Sequence, residues 1–225
     1  PPAFRTHVVV ERVSAVWAAV ASLMVGVQAA TDAGVTPARL LSSGMLTSAL
    51  GASEAARSWV AVALCAAVLA VCARLVLRWE WHVPLLIPAF IGVVAVPVTG
   101  NAGQGPGHDY ATGSVIVFTA ALSVWAGLTI TAALHPPDPT LRRRVLIAGF
   151  SAGVVTLVYG ALLLVLLAGG DLTTTAYGRL GLAAGAALLA ALAADLAALR
   201  AARKSARPVA LPTELVALAV LGAVS

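Results

Sequence analysis

Charged side chains are scarce in this sequence. Asp, Glu, Lys and Arg make up 10% of the 225 residues, whereas 60% of the residues are hydrophobic and the mean hydropathy is +0.97. A soluble domain usually carries about a quarter charged residues. The composition therefore excludes an ordinary soluble domain and predicts a polytopic membrane protein.

Cysteine and histidine are also rare. The two cysteines lie in one apolar run, so they provide no disulfide framework and no indication of the redox compartment. None of the four histidines lies in the middle of an apolar run, where the axial ligands of a membrane b-type haem would have to face each other, so no haem is expected. No nucleophile–base set, phosphate loop or zinc-ligand spacing is present, and the sequence supports no enzymatic function.

The basic residues give a formal charge of +5 and a pI near 10. They sit beside apolar runs and do not form a patch interleaved with exposed aromatic residues, as a nucleic-acid interface would require. We therefore expect the lipid bilayer, and no nucleic acid, as the partner of this chain.

One apolar segment, residues 145–168, sets the expected topology. It has 24 residues without a formal charge and follows three consecutive arginines, 142–144. At about 1.5 Å per residue, a helix of this length spans the roughly 30 Å hydrocarbon core of a bilayer. Arginines do not follow a helix through lipid, so they hold this end in the cytoplasm.

Further apolar runs predict an all-α, polytopic transmembrane helical bundle of about seven spans. The segment 83–98 carries Pro88 and Pro97, so we expect it to be kinked or partly unwound. The other predicted spans are 13–30, 58–77, 114–134, 180–199 and an incomplete seventh from 209 onward.

With the first span running outward, 11 of the 14 basic residues fall on the inner side. This satisfies the positive-inside rule for a bacterial plasma membrane, with 135–144 and 200–208 cytoplasmic and loops 31–57 and 100–113 extracytoplasmic. Thr36 and Pro37 are typical of the N-cap and first residue of a short interfacial helix. The chain is interpreted as one transmembrane domain, 1–225, and as a piece of a longer polypeptide, because it does not start with methionine and stops within an apolar run.

Three sulfur-containing residues form a candidate metal path inside the predicted membrane. Met24 and Cys65 lie at matching depths, about 10 Å below the outer ends of spans one and two, and Cys72 is two turns further along the helix face of Cys65. Thioether and thiolate ligands select Cu(I) over harder ions. The alternative is that all three fill space in apolar helices, as such residues commonly do.

A second candidate site lies in the outer loops. His108 and Asp109 offer an imidazole and a carboxylate where a metal ion would arrive from outside, and Met45 is predicted on the same side. The alternative is a solvated surface pair without a ligand.

Intramembrane charge is nearly absent, although it is the usual indication of a transport site. Asp195 and Glu214 are the two candidates for a proton-coupled carrier. We expect Asp195 near the inner surface as an interfacial carboxylate at a helix end. Gly181 and Gly185, with the alanines around them, indicate close helix packing.

Three short motifs in residues 114–204 resemble the CopD-type copper resistance and transport family. Trp125 and Gly127 lie late in a span, in a run similar to the family's Trp-x-Gly-Gly-Leu, and Arg144 precedes Phe150–Ser151 in the next span. The third motif is the segment Thr175–Leu180, which includes Tyr177, Gly178 and Arg179 and is similar to Thr-x-Tyr-Gly-Arg-Leu at the start of a span. We expect Tyr177, Gly178 and Arg179 to be structural: a phenol at the interface, a turn, and a guanidinium at the headgroups.

Residues 40–79 and 97–112 more closely resemble the actinobacterial form, in which a CopD-like half is fused to a CtaG-like cytochrome c oxidase assembly half. The resemblance implies copper import or delivery, a possible copper ion as cofactor, and a fused or neighbouring oxidase-assembly domain as partner. Phe118 departs from the family, which usually has a histidine there, and a phenyl ring cannot ligate copper. This departure and the lack of buried charge favour the alternative of a non-transporting membrane scaffold.

Overall fold

Long α-helices dominate the computed structural model, which describes residues 2–42, 44–75, 80, 82–100, 108–134, 139–168 and 172–204. No β-strand occurs in these ranges. In chain order the helices are α1 (Pro2–Asp32), α2 (Pro37–Ser42), α3 (Leu46–Ala52), α4 (Glu54–Leu75), α5 (His82–Thr99), α6 (His108–Leu134), α7 (Pro139–Ala168) and α8 (Ala176–Lys204).

Six of these helices, α1 and α4 to α8, are long and apolar enough to cross a membrane, with segments of 18 to 27 residues. The prediction of an all-α, multi-pass membrane bundle is therefore confirmed. The predicted seventh span, from residue 209 onward, and Glu214 lie outside the described residues.

One predicted boundary was wrong. α6 begins at His108, so residues 108–113 of the predicted outer loop are helical, and Asp109 places a favourable acidic side chain in the first turn. α5 was expected to be kinked or partly unwound, and it is a continuous α-helix through Pro88 and Pro97, so it is not unwound. At its C-terminus, Thr99 Oγ1 donates a hydrogen bond to the carbonyl oxygen of Ala95 at 3.3 Å, the i to i−4 bond that a helical threonine commonly makes.

The chain divides into two compact units, residues 1–104 and 105–225. The first contains α1 to α5 and the second α6 to α8. That both belong to one domain stays a prediction.

In the first unit, α1 and α4 form an antiparallel pair that polar contacts tie at both ends. At one end Arg74 Nη1 lies 3.5 Å from Glu11 Oε1, and at the other Ser53 Oγ donates a hydrogen bond to Asp32 Oδ2. Glu11 and Asp32 are 21 residues apart, and so are Ser53 and Arg74, so both contacts fit one register of α1 against α4. They are separated by roughly 31 Å, the thickness of a hydrocarbon core.

The third long helix of this unit, α5, runs parallel to α1. The rings of His7 and His82 lie 4.8 Å apart, and Trp17 packs against Gly92, which leaves no room for a side chain there. His7 and Trp17 are ten residues apart on α1, and His82 and Gly92 are ten residues apart on α5, so the two helices run in the same direction.

The short helices α2 and α3 pack on the end of the α1/α4 pair near Asp32. Their apolar side chains surround Leu40, which is fully buried. The prediction of a helix beginning at Thr36–Pro37 is confirmed, because Arg39 N donates to Thr36 Oγ1 at 3.4 Å, the bond of an N-cap.

In the second unit, antiparallel neighbours α6, α7 and α8 surround Trp125, which is fully buried. Trp125 packs on Gly153 of α7, and Phe118, seven residues earlier on α6, packs on Gly160, seven residues later on α7. Gly153 also contacts Leu192 of α8. Trp125 Nε1 is buried and has no hydrogen-bond partner among the described residues.

Candidate functional site

Cys65 lies where three helices of the first unit meet. A Cβ placed on Gly92 would lie 3.4 Å from Cys65 Cβ and 2.8 Å from Trp17 Cη2. Cys65 and Cys72 are both half-buried free thiols. Since they are seven residues apart, they lie on one face of α4, about two turns from each other.

Met24 is half-buried and lies on α1, two turns beyond Trp17 on the same face. The register of the tied pair places it opposite Ala61, four residues or about 6 Å along the axis from Cys65. The structure therefore orders Met24, Cys65 and Cys72 at successive levels along one helix pair. Within the described ranges, no group of three or more His, Cys, Asp or Glu side chains could hold a metal ion.

The outer candidates divide between the two units. His108 Nε2 lies 3.1 Å from Asp109 Oδ1 in the first turn of α6, and the two side chains are 61% and 88% exposed. Met45, also exposed, precedes α3 in the first unit. An exposed pair of this kind is open to an arriving cation and equally to water.

Sequence reasoning missed the contact between His7 and His82. The two residues are 75 positions apart on different helices, and only the parallel packing of α1 and α5 brings the rings together. The pair lies one helical turn from Glu11 and its ion pair with Arg74.

The two residues of the first family-like motif, Trp125 and Gly127, have different surroundings. Trp125 is the centre of the second core, whereas Gly127 is exposed and has open space beside it. The ring of Phe118 lies 3.0 Å from where a Cβ of Gly160 would be, so it fills the interface that a histidine would occupy in the family.

Gly178 is not in a turn as predicted but in the first turn of α8. Its backbone N–H donates to Thr175 Oγ1 at 3.0 Å, which makes Thr175 the N-cap of the helix. A Cβ at Gly178 would overlap the backbone carbonyl of Leu172. Tyr177 and Arg179, on either side, are exposed.

The packing role predicted for the glycines of α8 is confirmed at one of the two positions. Gly181 has the side chain of Leu164 against it, so α7 and α8 approach closely there. Gly185 has nothing within 4 Å of the position of a Cβ.

Asp195 was expected to be an interfacial carboxylate at a helix end, but it lies nine residues before the end of α8 and is only 3% exposed. It shares the inward face of α8 with Leu188, Ala191 and Ala198, which the helical period turns toward α6 and α7. Asp195 borders a cavity with about 20 Å³ of space for water, and no hydrogen bond or ion pair to its carboxylate is recorded among the described residues. The other lining residues are Leu128, Thr129, Ala132, Val145, Leu146 and Gly149.

These features define a multi-pass α-helical membrane protein that has, within the described residues, one buried carboxyl group and one ordered series of sulfur side chains. Three curated mycobacterial proteins are similar to this chain: Uncharacterized protein Mb0105 of Mycobacterium bovis, MT0111 of Mycobacterium tuberculosis and ML1998 of Mycobacterium leprae. Each is 50% identical over 184 to 186 residues, which cover 81 to 83% of this chain and 28% of the relative. The chain thus spans little more than a quarter of the length of these relatives. No family model and no solved structure matches it.

Proposed function

We propose that the chain is the membrane-embedded part of a bacterial plasma-membrane protein that imports or delivers Cu(I). The supporting observation is the order of Met24, Cys65 and Cys72 along a helix pair whose register is tied at both ends. The resemblance of residues 114–204 to CopD-type proteins supports the same metal, and soft sulfur ligands favour Cu(I) among the common metal ions.

Charge neutralisation explains why cysteines suit a path through lipid. A cation in the hydrocarbon region costs several kcal/mol unless an opposite charge accompanies it. A deprotonated Cys65 or Cys72 supplies one negative charge and neutralises Cu(I) without any carboxylate in this part of the membrane. The Met24 thioether provides a neutral ligand at the preceding level.

In this proposal the ion arrives on the outer side, where Met45 of the first unit is a candidate ligand, and then passes the three sulfur residues. His108 and Asp109 are a separate outer candidate in the second unit. His7 and His82 receive the ion at the inner edge, since imidazole is also a copper ligand. Along the axis of the helix pair, Met24 lies about 6 Å from Cys65, Cys65 about 10 Å from Cys72, and Cys72 about 9 Å from His7. Each transfer of the ion therefore requires side-chain movement.

The proposed orientation places 135–144 and 200–208 in the cytoplasm, as the arginines require. The resemblance to fused proteins also suggests an oxidase-assembly domain or membrane complex as the recipient of the copper.

The decisive variant combines Met24→Leu with Cys65→Ser. We expect purified parent protein, reconstituted in lipid nanodiscs, to bind Cu(I) stoichiometrically and the double variant to lose most of this binding. Leu64→Ser is the matched control, because it places a serine beside Cys65 on the exposed face of α4. Equal Cu(I) binding by the parent and the double variant, both folded, would contradict the relay.

A non-transporting scaffold is the second candidate, favoured by the tight packing of Cys65 against Trp17 and Gly92. A scaffold predicts no Cu(I) in the parent protein. It also predicts that Cys65→Ser lowers thermal stability without changing copper uptake by cells.

A further inference from the structure

The carboxyl group of Asp195 lies inside the second unit without an opposite charge beside it. α6 has no charged or histidine side chain between Asp109 and its end at Leu134, and its nearest polar group at the cavity is Thr129. On α7, the register places Phe150 opposite Asp195, so Arg144 is six residues or about 9 Å away toward the inner end.

On α8 itself, Arg200 follows Asp195 by five residues, which places it about 140° around the helix, and it is exposed. On α7, Arg143 and Arg142 lie seven and eight residues from Phe150, about 10 and 12 Å toward the inner end, and Tyr159 lies about 14 Å toward the outer end. Asp195 therefore has no charged neighbour on its own level from any of the three helices, within the described residues.

The cavity limits the ligand that this carboxyl group could take. About 20 Å³ of space admits one water molecule, for which roughly 10–15 Å³ is needed. A hard metal cation needs about six oxygen ligands, but only Asp195 and Thr129 carry side-chain oxygens here. A proton, in contrast, needs a single carboxylate oxygen and one water to deliver it.

An ionised carboxylate without a partner is costly in an apolar interior, whereas a neutral carboxyl group requires only its hydrogen bonds. We propose that Asp195 is a proton-binding site of the second unit, loaded and unloaded through a water molecule in the adjacent cavity. Hydronium at the cavity breaks one O–H bond and becomes water, and a new O–H bond forms on an Asp195 carboxylate oxygen. Release is the reverse, and no other reactant is needed.

Gly149 provides the means to test the water without changing the carboxyl group. It lines the cavity, and a Cβ at this position would have nothing within 4 Å. Gly149→Ala therefore fits without a clash and places a methyl group in the space for water. Gly127→Ala on the exposed face of α6 is the matched control, because its Cβ would also meet nothing.

The experiment is infrared difference spectroscopy of the metal-free full chain in lipid nanodiscs during stepwise acidification. We expect a carbonyl band of a protonated carboxylic acid that disappears in Asp195→Asn and returns in Asp195→Glu. After transfer to heavy water, the band should shift at least tenfold more slowly in Gly149→Ala than in the parent or in Gly127→Ala.

Absence of an Asp195-dependent band at every pH at which the parent is folded would overturn the proton site. Unchanged deuterium exchange in Gly149→Ala would overturn the water path. If Asp195→Asn does not fold, isotope labelling of aspartate in the parent, combined with Asp195→Glu, assigns the band in its place. Because no metal is present, the outcome is independent of copper binding.

Discussion

The second core can be tested at Gly153, where three helices meet. A Cβ at this position would lie 2.6 Å from Leu192 Cδ2 and 3.2 Å from Trp125 Cδ1, both closer than ordinary contact. Trp125 and Leu192 are themselves buried and have little room to move. Gly153→Ala should therefore push α7 away from α6 and α8.

Overpacking of this kind costs about 1–3 kcal/mol. Replacing a helical glycine by alanine returns up to about 1 kcal/mol, since glycine loses more backbone entropy on folding. At Gly127, where a Cβ meets nothing, only the second effect applies and Gly127→Ala should stabilise. The two variants should differ by about 1–3 kcal/mol, or roughly 5- to 150-fold in the folding equilibrium.

The measurement is reversible unfolding of each variant in mixed micelles, followed by tryptophan fluorescence and helical circular dichroism. Leu192→Ala removes the methyl group that clashes, so Gly153→Ala should cost much less in that background than in the parent. If Gly153→Ala and Gly127→Ala have the same stability, the close three-helix contact at Gly153 is refuted.

Two further predictions concern helix starts. Gly178→Ala should lower the unfolding temperature markedly, because its Cβ would overlap the backbone of Leu172. Gly185→Ala is the control and should be neutral or stabilising, because its Cβ would meet open space. Differential scanning fluorimetry compares the two variants, and equal unfolding temperatures would contradict the close approach at Gly178. Ser53→Ala should lower the free energy of unfolding in micelles by about 1–2 kcal/mol, because it removes the N-cap of α4 and the hydrogen bond to Asp32 of α1. Ser48→Ala, which removes an exposed hydroxyl group, should cost less than half as much. Similar losses of stability in the two variants would argue against the cap.

The six long helices of the described chain could be predicted from the sequence, because an uncharged run of about 20 residues has one stable arrangement in lipid. The short helix α3 was not predicted. Thr36 was recognisable as an N-cap for a similarly local reason, since its hydroxyl group bonds an amide three residues on. The start of α6 at His108 was not, because polar residues and Gly113 precede the uncharged run, although a single glycine is tolerated inside a helix.

The buried position of Asp195 depends on which face of α8 meets α6 and α7. Its depth along the helix was predictable from the count of residues, but its direction depends on neighbours that sequence distance does not reveal. The His7–His82 contact required the register of α1 against α5. Whether Met24, Cys65 and Cys72 bind copper stays a prediction. Their predicted depths are only partly met, because the register of α1 against α4 places Met24 about 6 Å along the axis from Cys65 and not at the same depth.

The two ties between α1 and α4 have a mechanical consequence. Because Glu11–Arg74 and Asp32–Ser53 join opposite ends of the pair, sliding one helix along the other when bilayer thickness changes would break both contacts. A thicker or thinner bilayer must instead be met by tilting the hairpin as a rigid rod or by deforming the lipid around it. The length of the α1/α4 pair therefore stays nearly constant, and a change in membrane thickness shifts the helices that pack against the pair.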